Sequence, residues 1–114
     1  MAIKTVPTFW AEICIGTRAG YTKSSFPLDE IYPIVSDYVN RCGLCVTVTK
    51  TKFIYTKGSE RGAIIRLINY PRFSSPPELI IKRALGLAKI LKRRLRQLRV
   101  SVITPKETIM LGES

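Results

Sequence analysis

Histidine is absent from this chain of 114 residues, and acids are scarce, with eight Asp and Glu against 19 Lys and Arg. Without histidine, neither a serine–histidine triad nor a cysteine–histidine pair can form, and the scattered acids indicate no carboxylate pair. The sequence also contains neither G-x-G-x-x-G nor G-x-x-x-x-G-K-[ST], the loops that hold nucleotide phosphates. We therefore expect a protein that is not an enzyme, needs no cofactor and has no small-molecule substrate.

Cysteine is sparse too, with three residues in the chain. Cys42 and Cys45 have the spacing of half a zinc site, but a structural zinc needs four ligands and only Cys14 could add a third sulfur. A redox dithiol sits at the start of a helix, whereas this pair follows a predicted helix. We expect no metal site and three packed free thiols, with an intracellular disulfide as the alternative.

Long apolar runs are missing, and the first residues lack the charged region, apolar run and cleavage site of a signal peptide. We therefore expect no membrane insertion and an intracellular location. Hydrophobic residues make up 46% of the chain, which is ordinary for a globular protein. The length predicts a single domain over residues 1–114, with an ordered core at about 8–111.

What the sequence does contain is a regular succession of strand and helix patterns. Alternating apolar residues predict strands at 8–15, 44–56, 63–70 and 100–103, with a short addition at 107–111. Helical spacing predicts helices at 27–41 and 78–99, and a capping box at Ser75 opens the second. Pro33 predicts a kink or a separate first turn in the first helix.

The order strand, helix, strand, strand, helix, strand is that of the ferredoxin-like sandwich, the split βαββαβ arrangement. We therefore predict the α+β class, an antiparallel sheet with spatial order 4-1-3-2, and both helices on one face. Phe9, Ile13, Val46 and Val48, together with the apolar stripes of the helices, are the expected core.

The second helix carries charge of almost one sign, with Glu78 as its single acid. Cations three or four residues apart destabilise a helix by about 0.2–0.5 kcal/mol per pair. An anionic partner explains why the chain keeps them, and the net charge of +11 agrees. We expect non-specific binding of nucleic acid or another polyanion by this helix. The predicted contact residues are Lys82, Arg83, Lys89, Lys92, Arg93, Arg94, Arg96 and Arg99.

The sheet face turned away from the helices carries several aromatic side chains. The third strand has aliphatic residues where RNA-recognition domains have base-stacking rings, so that mode of binding is disfavoured. Exposed apolar surface of this kind often marks an interface, and we predict a homodimer through this face. The alternative function is a homo-oligomeric structural or protein-interaction module with no nucleic-acid binding. The predicted interface residues are Trp10, Phe53, Tyr55 and Tyr70.

Three stretches, FWAEICIG at 9–16, FIYT at 53–56 and LINYPRF at 67–73, give the chain a resemblance to other proteins. It resembles the small proteins encoded by rod-shaped viruses of hyperthermophilic archaea. The resemblance implies a thermophilic viral source and, with it, the host cytoplasm as location. It implies no activity, cofactor or site residue.

Overall fold

The computed structural model describes residues 1–20 and 24–112, and its elements follow one another in the predicted order. The predicted α+β class is confirmed. The elements are β1 (Trp10–Gly16), α1 (Ile31–Cys42), β2 (Val46–Tyr55), β3 (Gly58–Ile68), α2 (Pro77–Arg94), β4 (Arg99–Ile103) and β5 (Thr108–Gly112), with short 3-10 turns at Leu28–Glu30 and Pro71–Phe73.

All five strands pair antiparallel, in the spatial order β2-β3-β1-β4-β5. The first four strands have the predicted neighbours, since their order read from β4 is 4-1-3-2, but the sheet has a fifth strand at its edge. The Thr104 hydroxyl accepts hydrogen bonds from the amides of Lys106 and Glu107, both at 3.1 Å, and so holds the turn into β5. β5 thereby pairs the edge of β4, whose backbone groups would otherwise be free.

One face of the sheet carries the core, because alternate residues of each strand point to the same side. Both helices belong to this layer: α2 contacts β1 and β4, and α1 contacts α2. The buried side chains from the sheet and its flanks are Phe9, Ala11, Ile13, Ile15, Ala63, Ile65, Leu67, Val100 and Val102; those from the helices and their ends are Ile31, Ile34, Val35, Ile80, Ala84, Leu87, Ala88, Leu91 and Leu95. The predicted Val46 and Val48 are only half-buried, at the margin of this core. The other face of the sheet, which we name the open face, carries neither of the two helices that the described residues form.

The first helix begins later than predicted. Residues Leu28–Glu30 form a separate 3-10 turn, so Pro33 falls in the first turn of α1, where a missing amide proton costs no helical hydrogen bond. The helix ends at Gly43, whose φ of 69° lets its amide bond to the Val39 carbonyl oxygen. Within residues 1–20 and 24–112, no helix combines the length and the apolar character needed to cross a bilayer.

The second helix ends earlier than the single helix that we predicted for residues 78–99. It stops at Arg94, and Arg96 has a left-handed φ of 51°. Tertiary hydrogen bonds hold this turn: Gln97 Nε2 donates to the carbonyl oxygen of Arg18 at 2.7 Å, and the Gly20 amide donates to that of Arg96 at 2.9 Å. The apolar spacing continues past Arg94, so the sequence pattern could not reveal the stop.

The predicted capping box at Ser75 does not form, and α2 has no side-chain hydrogen bond at its N-cap. The Ser75 amide instead donates to Asn69 Oδ1 at 2.9 Å. Its hydroxyl accepts a hydrogen bond from Arg83 Nη1 at 3.2 Å. Ser75 therefore ties α2 to the chain that precedes it.

Candidate active site

At one corner of the open face, β1 and β3 place two glycines opposite each other. Gly16, the last residue of β1, pairs with Gly62 of β3. The Glu60 carboxylate occupies the space that a side chain on Gly16 would need, since a Cβ there would lie 2.5 Å from Glu60 Oε2. The Arg18 amide donates a hydrogen bond to the same oxygen at 3.3 Å. The local sequence thus holds one carboxylate at the end of the sheet.

A cavity of about 410 Å³, which we name the corner cavity, opens beside this carboxylate. Its volume lies in the range of roughly 300–1,000 Å³ that is typical of small-molecule sites. Glu60 is the only acid among the described residues that line it, and it is joined by two guanidinium groups and one aromatic ring. The lining residues are Arg18, Gly20, Tyr55, Glu60, Gln97, Leu98 and Arg99.

Gln97 braces the wall of the corner cavity. Its side chain is buried, and Nε2 donates to the carbonyl oxygens of Arg18 and Leu95 at 2.7 Å and 2.9 Å. This amide therefore connects the segment after β1 to the turn between α2 and β4. A wall held by buried and partly buried hydrogen bonds is stiffer than an exposed loop, and a stiff wall loses little entropy when a ligand binds.

Tyr55 supplies the aromatic surface of the corner cavity. It ends β2, pairs with Gly58 across a two-residue turn, and is 48% exposed. A Cβ on Gly58 would lie 2.5 Å from Tyr55 Cε2, so the ring packs directly on the glycine backbone. The hairpin turn therefore fixes where this ring lies while leaving much of it accessible.

The predicted polyanion-binding residues do not share one surface. Lys82, Arg83, Lys89, Lys92, Arg93 and Arg94 belong to α2, whereas Arg96 lies past its end and Arg99 begins β4. Arg99 shares a face with Ser101 and Ile103, because Val100 and Val102 point into the core, and it lines the corner cavity. The prediction that all eight cations form a continuous row on one helix was wrong, because α2 ends five residues before Arg99.

The four predicted interface residues lie in four different settings. Trp10 has the Arg66 guanidinium over its ring at 5.2 Å, and Tyr70 stacks on Phe73 with ring centroids 6.2 Å apart. Phe53 packs across the bare backbone of Gly62. Of the predicted set, Tyr55 lines the corner cavity. Their role in self-association stays a prediction.

All three cysteines are free thiols. Burial, followed by the negative charge of Glu12, raises the pKa of Cys14, which makes this thiol a weaker nucleophile at neutral pH. The part of the chain that the structure describes contains no group of three or more His, Cys, Asp or Glu side chains placed to hold a metal ion.

No protein-family model matches the chain, and no curated protein matches its sequence. Solved structures do match its fold. A phage SAM lyase in complex with S-methyl-5'-thioadenosine has a TM-score of 0.80 and 17% identity, over 99% of this chain and 95% of the lyase. A phage SAM lyase in its apo state has a TM-score of 0.73 and 15% identity, over 93% and 90%. At such identities the likeness establishes a shared fold over nearly the whole chain.

These neighbours overturn our functional predictions. Both are enzymes that act on S-adenosylmethionine (SAM), and one holds a small nucleoside. The predictions of a non-enzymatic protein, of nucleic acid or another polyanion as its partner, and of no small-molecule substrate are therefore wrong. Sequence reasoning also missed Arg18, Glu60 and Gln97, which it assigned to loops or to the second helix. The chain is therefore similar in fold to SAM lyases over nearly its whole length.

Proposed function

We propose that this protein is a lyase that binds SAM in the corner cavity and cleaves it to S-methyl-5'-thioadenosine. The observation that carries the proposal is the corner cavity itself, in which one carboxylate, two guanidinium groups and an aromatic ring surround about 410 Å³. The similarity of fold to SAM lyases over nearly the whole chain supports the same substrate class.

The groups of SAM have complementary partners in the corner cavity. The adenine ring stacks on Tyr55, since aromatic side chains bind bases through their π-faces. The α-carboxylate binds Arg18 or Arg99, whose planar guanidinium groups match carboxylate geometry. Glu60 binds the α-ammonium group, whose charge persists through the reaction. A carboxylate beside the sulfonium would stabilise the reactant more than the transition state, in which that charge is being lost.

The reaction needs little from the protein beyond positioning. S-Methyl-5'-thioadenosine keeps the nucleoside, sulfur and methyl group of SAM, so the bond that breaks joins sulfur to the γ-carbon of the amino-acid chain. Its electron pair stays on sulfur, which becomes a neutral thioether and accepts no proton. The substrate's own α-carboxylate forms the new bond to the γ-carbon and closes a lactone, so atoms and charge balance without water. The corner cavity folds the amino-acid chain so that these atoms meet.

The proposal is tested by incubating the purified protein with SAM and separating the products by chromatography. We expect S-methyl-5'-thioadenosine to form in proportion to protein concentration and faster than in buffer alone. A protein sample that yields no more of it than buffer does would disprove the proposed activity.

We expect Glu60→Gln to weaken the binding of S-adenosylhomocysteine about tenfold, because the charged hydrogen bond to its ammonium group is worth about 1.5 kcal/mol. This thioether keeps the ammonium and carboxylate groups of SAM. Calorimetric titration should also show that the variant binds S-methyl-5'-thioadenosine, which lacks the ammonium group, with unchanged affinity.

The matched control for this prediction is Glu12→Gln. Glu12 also lies on the open face, where it pairs with Arg66 at 3.8 Å, but it does not line the corner cavity. Its loss should leave the affinity for S-adenosylhomocysteine unchanged. Two results would show that Glu60 does not bind the ammonium group. One is an equal loss of affinity for S-adenosylhomocysteine in the two variants, and the other is an equal loss of affinity for both ligands in Glu60→Gln.

A further inference from the structure

The hairpin of β2 and β3 borders a second cavity, on the side of the sheet that carries the helices. The hairpin extends past the helices, as Ile54 shows: it lies on their side of β2 and is 81% exposed. Beside this arm is a cleft of about 540 Å³, which we name the hairpin cleft. Its polar lining includes Arg18, Lys50, Lys52, Arg61, Ser25 and Ser59.

The hairpin cleft has more positive than negative charge. Of its two acids, Asp29 pairs with Lys50 at 3.1 Å, and Glu60 lies on the opposite face of β3 from Arg61. Lys52 lies in no ion pair with any residue that the structure describes, and the same is true of Arg61. Two cations therefore face the cleft without a neutralising partner.

Lys52 and Arg61 are also direct neighbours across the hairpin. They are paired residues in the β2–β3 register, so their side chains project from the same face of the sheet. Like charges directly opposite each other destabilise a strand pair. Lys50, two residues away on the same face, is already paired with Asp29 at 3.1 Å, so the uncompensated repulsion is that between Lys52 and Arg61. An anion between the strands and the facing loop would relieve this repulsion.

The wall that faces these cations is fixed to the hairpin. Thr17 Oγ1 donates to the Arg61 carbonyl oxygen at 2.9 Å, and the Phe26 amide donates to that of Thr17 at 2.8 Å. Arg18 Nη2 donates to the Ser59 carbonyl oxygen at 3.3 Å. The cations therefore project from a strand pair toward a wall held by hydrogen bonds, in contrast to cations on separate mobile loops.

We propose that the hairpin cleft binds a small molecule carrying two or more linked phosphate groups. Lys52 and Arg61 would contact the phosphate oxygens, with the hydroxyl groups of Ser25 and Ser59 as additional donors. The phosphates could be those of free oligophosphate or of a nucleotide, which share this chemistry. The site is separate from the corner cavity, although Arg18 and Glu60 border both.

The proposal is tested by calorimetric titration of the full chain with tripolyphosphate and with ATP at about 100 mM salt, where diffuse surface attraction is screened beyond about 10 Å. We expect 1:1 binding of tripolyphosphate, and at least a tenfold loss of affinity in the double variant Lys52→Gln with Arg61→Gln. Tighter binding of ATP that is also lost in the double variant would identify a nucleotide as the ligand of the hairpin cleft, and equal binding would identify the oligophosphate group alone. Both outcomes support the proposal that the hairpin cleft binds linked phosphate groups.

The charge-matched control is Lys82→Gln with Lys89→Gln, which removes two cations from α2. This control should retain its affinity within about twofold. Equal losses in both double variants would mean that the net charge of +11 binds the anion diffusely, and would overturn the proposal. It would also be overturned by the absence of binding in the wild type, or by full binding in the Lys52/Arg61 variant.

A thermal melt without ligand provides an independent check. Removing an opposed pair of like charges should leave the melting temperature of the Lys52/Arg61 variant equal to or above that of the wild type. A lower melting temperature would show that these cations stabilise the fold without a ligand, and would contradict the proposal. None of these measurements uses SAM, so they succeed or fail independently of the proposed lyase activity.

Discussion

Replacing Gly16 with alanine is expected to lower the rate of the proposed SAM cleavage about 100-fold, because a shift of about 1 Å in a positioning group can cost that much. The new methyl group would lie 2.5 Å from Glu60 Oε2 and 2.6 Å from Glu60 Cδ, so the carboxylate must move. Glu60 can move cheaply, since the conflict involves only the end of a flexible side chain. The free energy of unfolding should therefore change little while the rate falls.

The measurement is the initial rate of S-methyl-5'-thioadenosine formation, paired with a urea unfolding curve for the same variant. The control is Gly86→Ala on α2, whose methyl group would press on the end of another side chain, the Tyr38 hydroxyl, at 2.6 Å. Gly86 lies outside the corner cavity, so this control should cleave SAM at the wild-type rate. A Gly16→Ala variant that keeps the full rate would show that the position of Glu60 does not matter.

Replacing Gly62 with alanine is expected to destabilise the fold by about 3 kcal/mol, at the upper end of the usual cost of overpacking. A Cβ at this position would collide with the carbonyl oxygen of Ile15 and would lie 2.5 Å from Phe53 Cε2. The carbonyl oxygen belongs to the backbone of β1, next to the β1–β3 pairing, so it cannot move aside without disturbing the sheet.

Urea unfolding of Gly62→Ala measures this loss directly, and Gly16→Ala is its matched control. The two glycines are partners in the β1–β3 register, and each change adds one methyl group at the same corner. We expect the unfolding midpoint to fall strongly for Gly62→Ala alone. Similar unfolding midpoints in the two variants would mean that the close approach of the Ile15 carbonyl oxygen to Gly62 does not make glycine necessary at this position.

The order of elements could be predicted from the sequence because period-two and helical spacings are local signals. The two faces of β1 were also predictable, since Ala11, Ile13 and Ile15 alternate with more polar residues and are buried. The end of α2 was not predictable, because the left-handed residue Arg96 is held by a hydrogen bond from the Gly20 amide, which is distant in sequence. The resemblance to proteins of archaeal rod-shaped viruses stays a prediction.

The candidate site was missed for two physical reasons. Its members come from four separate segments of the chain. From the sequence, Glu60 is predicted to lie in a turn beside Gly58, and only the strand register shows that its carboxylate lies over Gly16. In addition, we predicted no enzyme because the sequence shows no histidine, no paired acids and no activated nucleophile. A sulfonium substrate brings its own leaving group and its own carboxylate nucleophile, so a site that only positions them has no catalytic motif. The absence of histidine therefore does not exclude reactions in which the protein only positions the substrate.

The most direct test of the corner cavity as the nucleoside site is a crystal structure of the chain with S-methyl-5'-thioadenosine. We expect density for the nucleoside in this cavity, with the adenine on the Tyr55 ring and the methylthio group toward Glu60 and the guanidinium groups of Arg18 and Arg99. A nucleoside bound in the hairpin cleft, or at any other place on the chain that leaves the corner cavity empty, would contradict it.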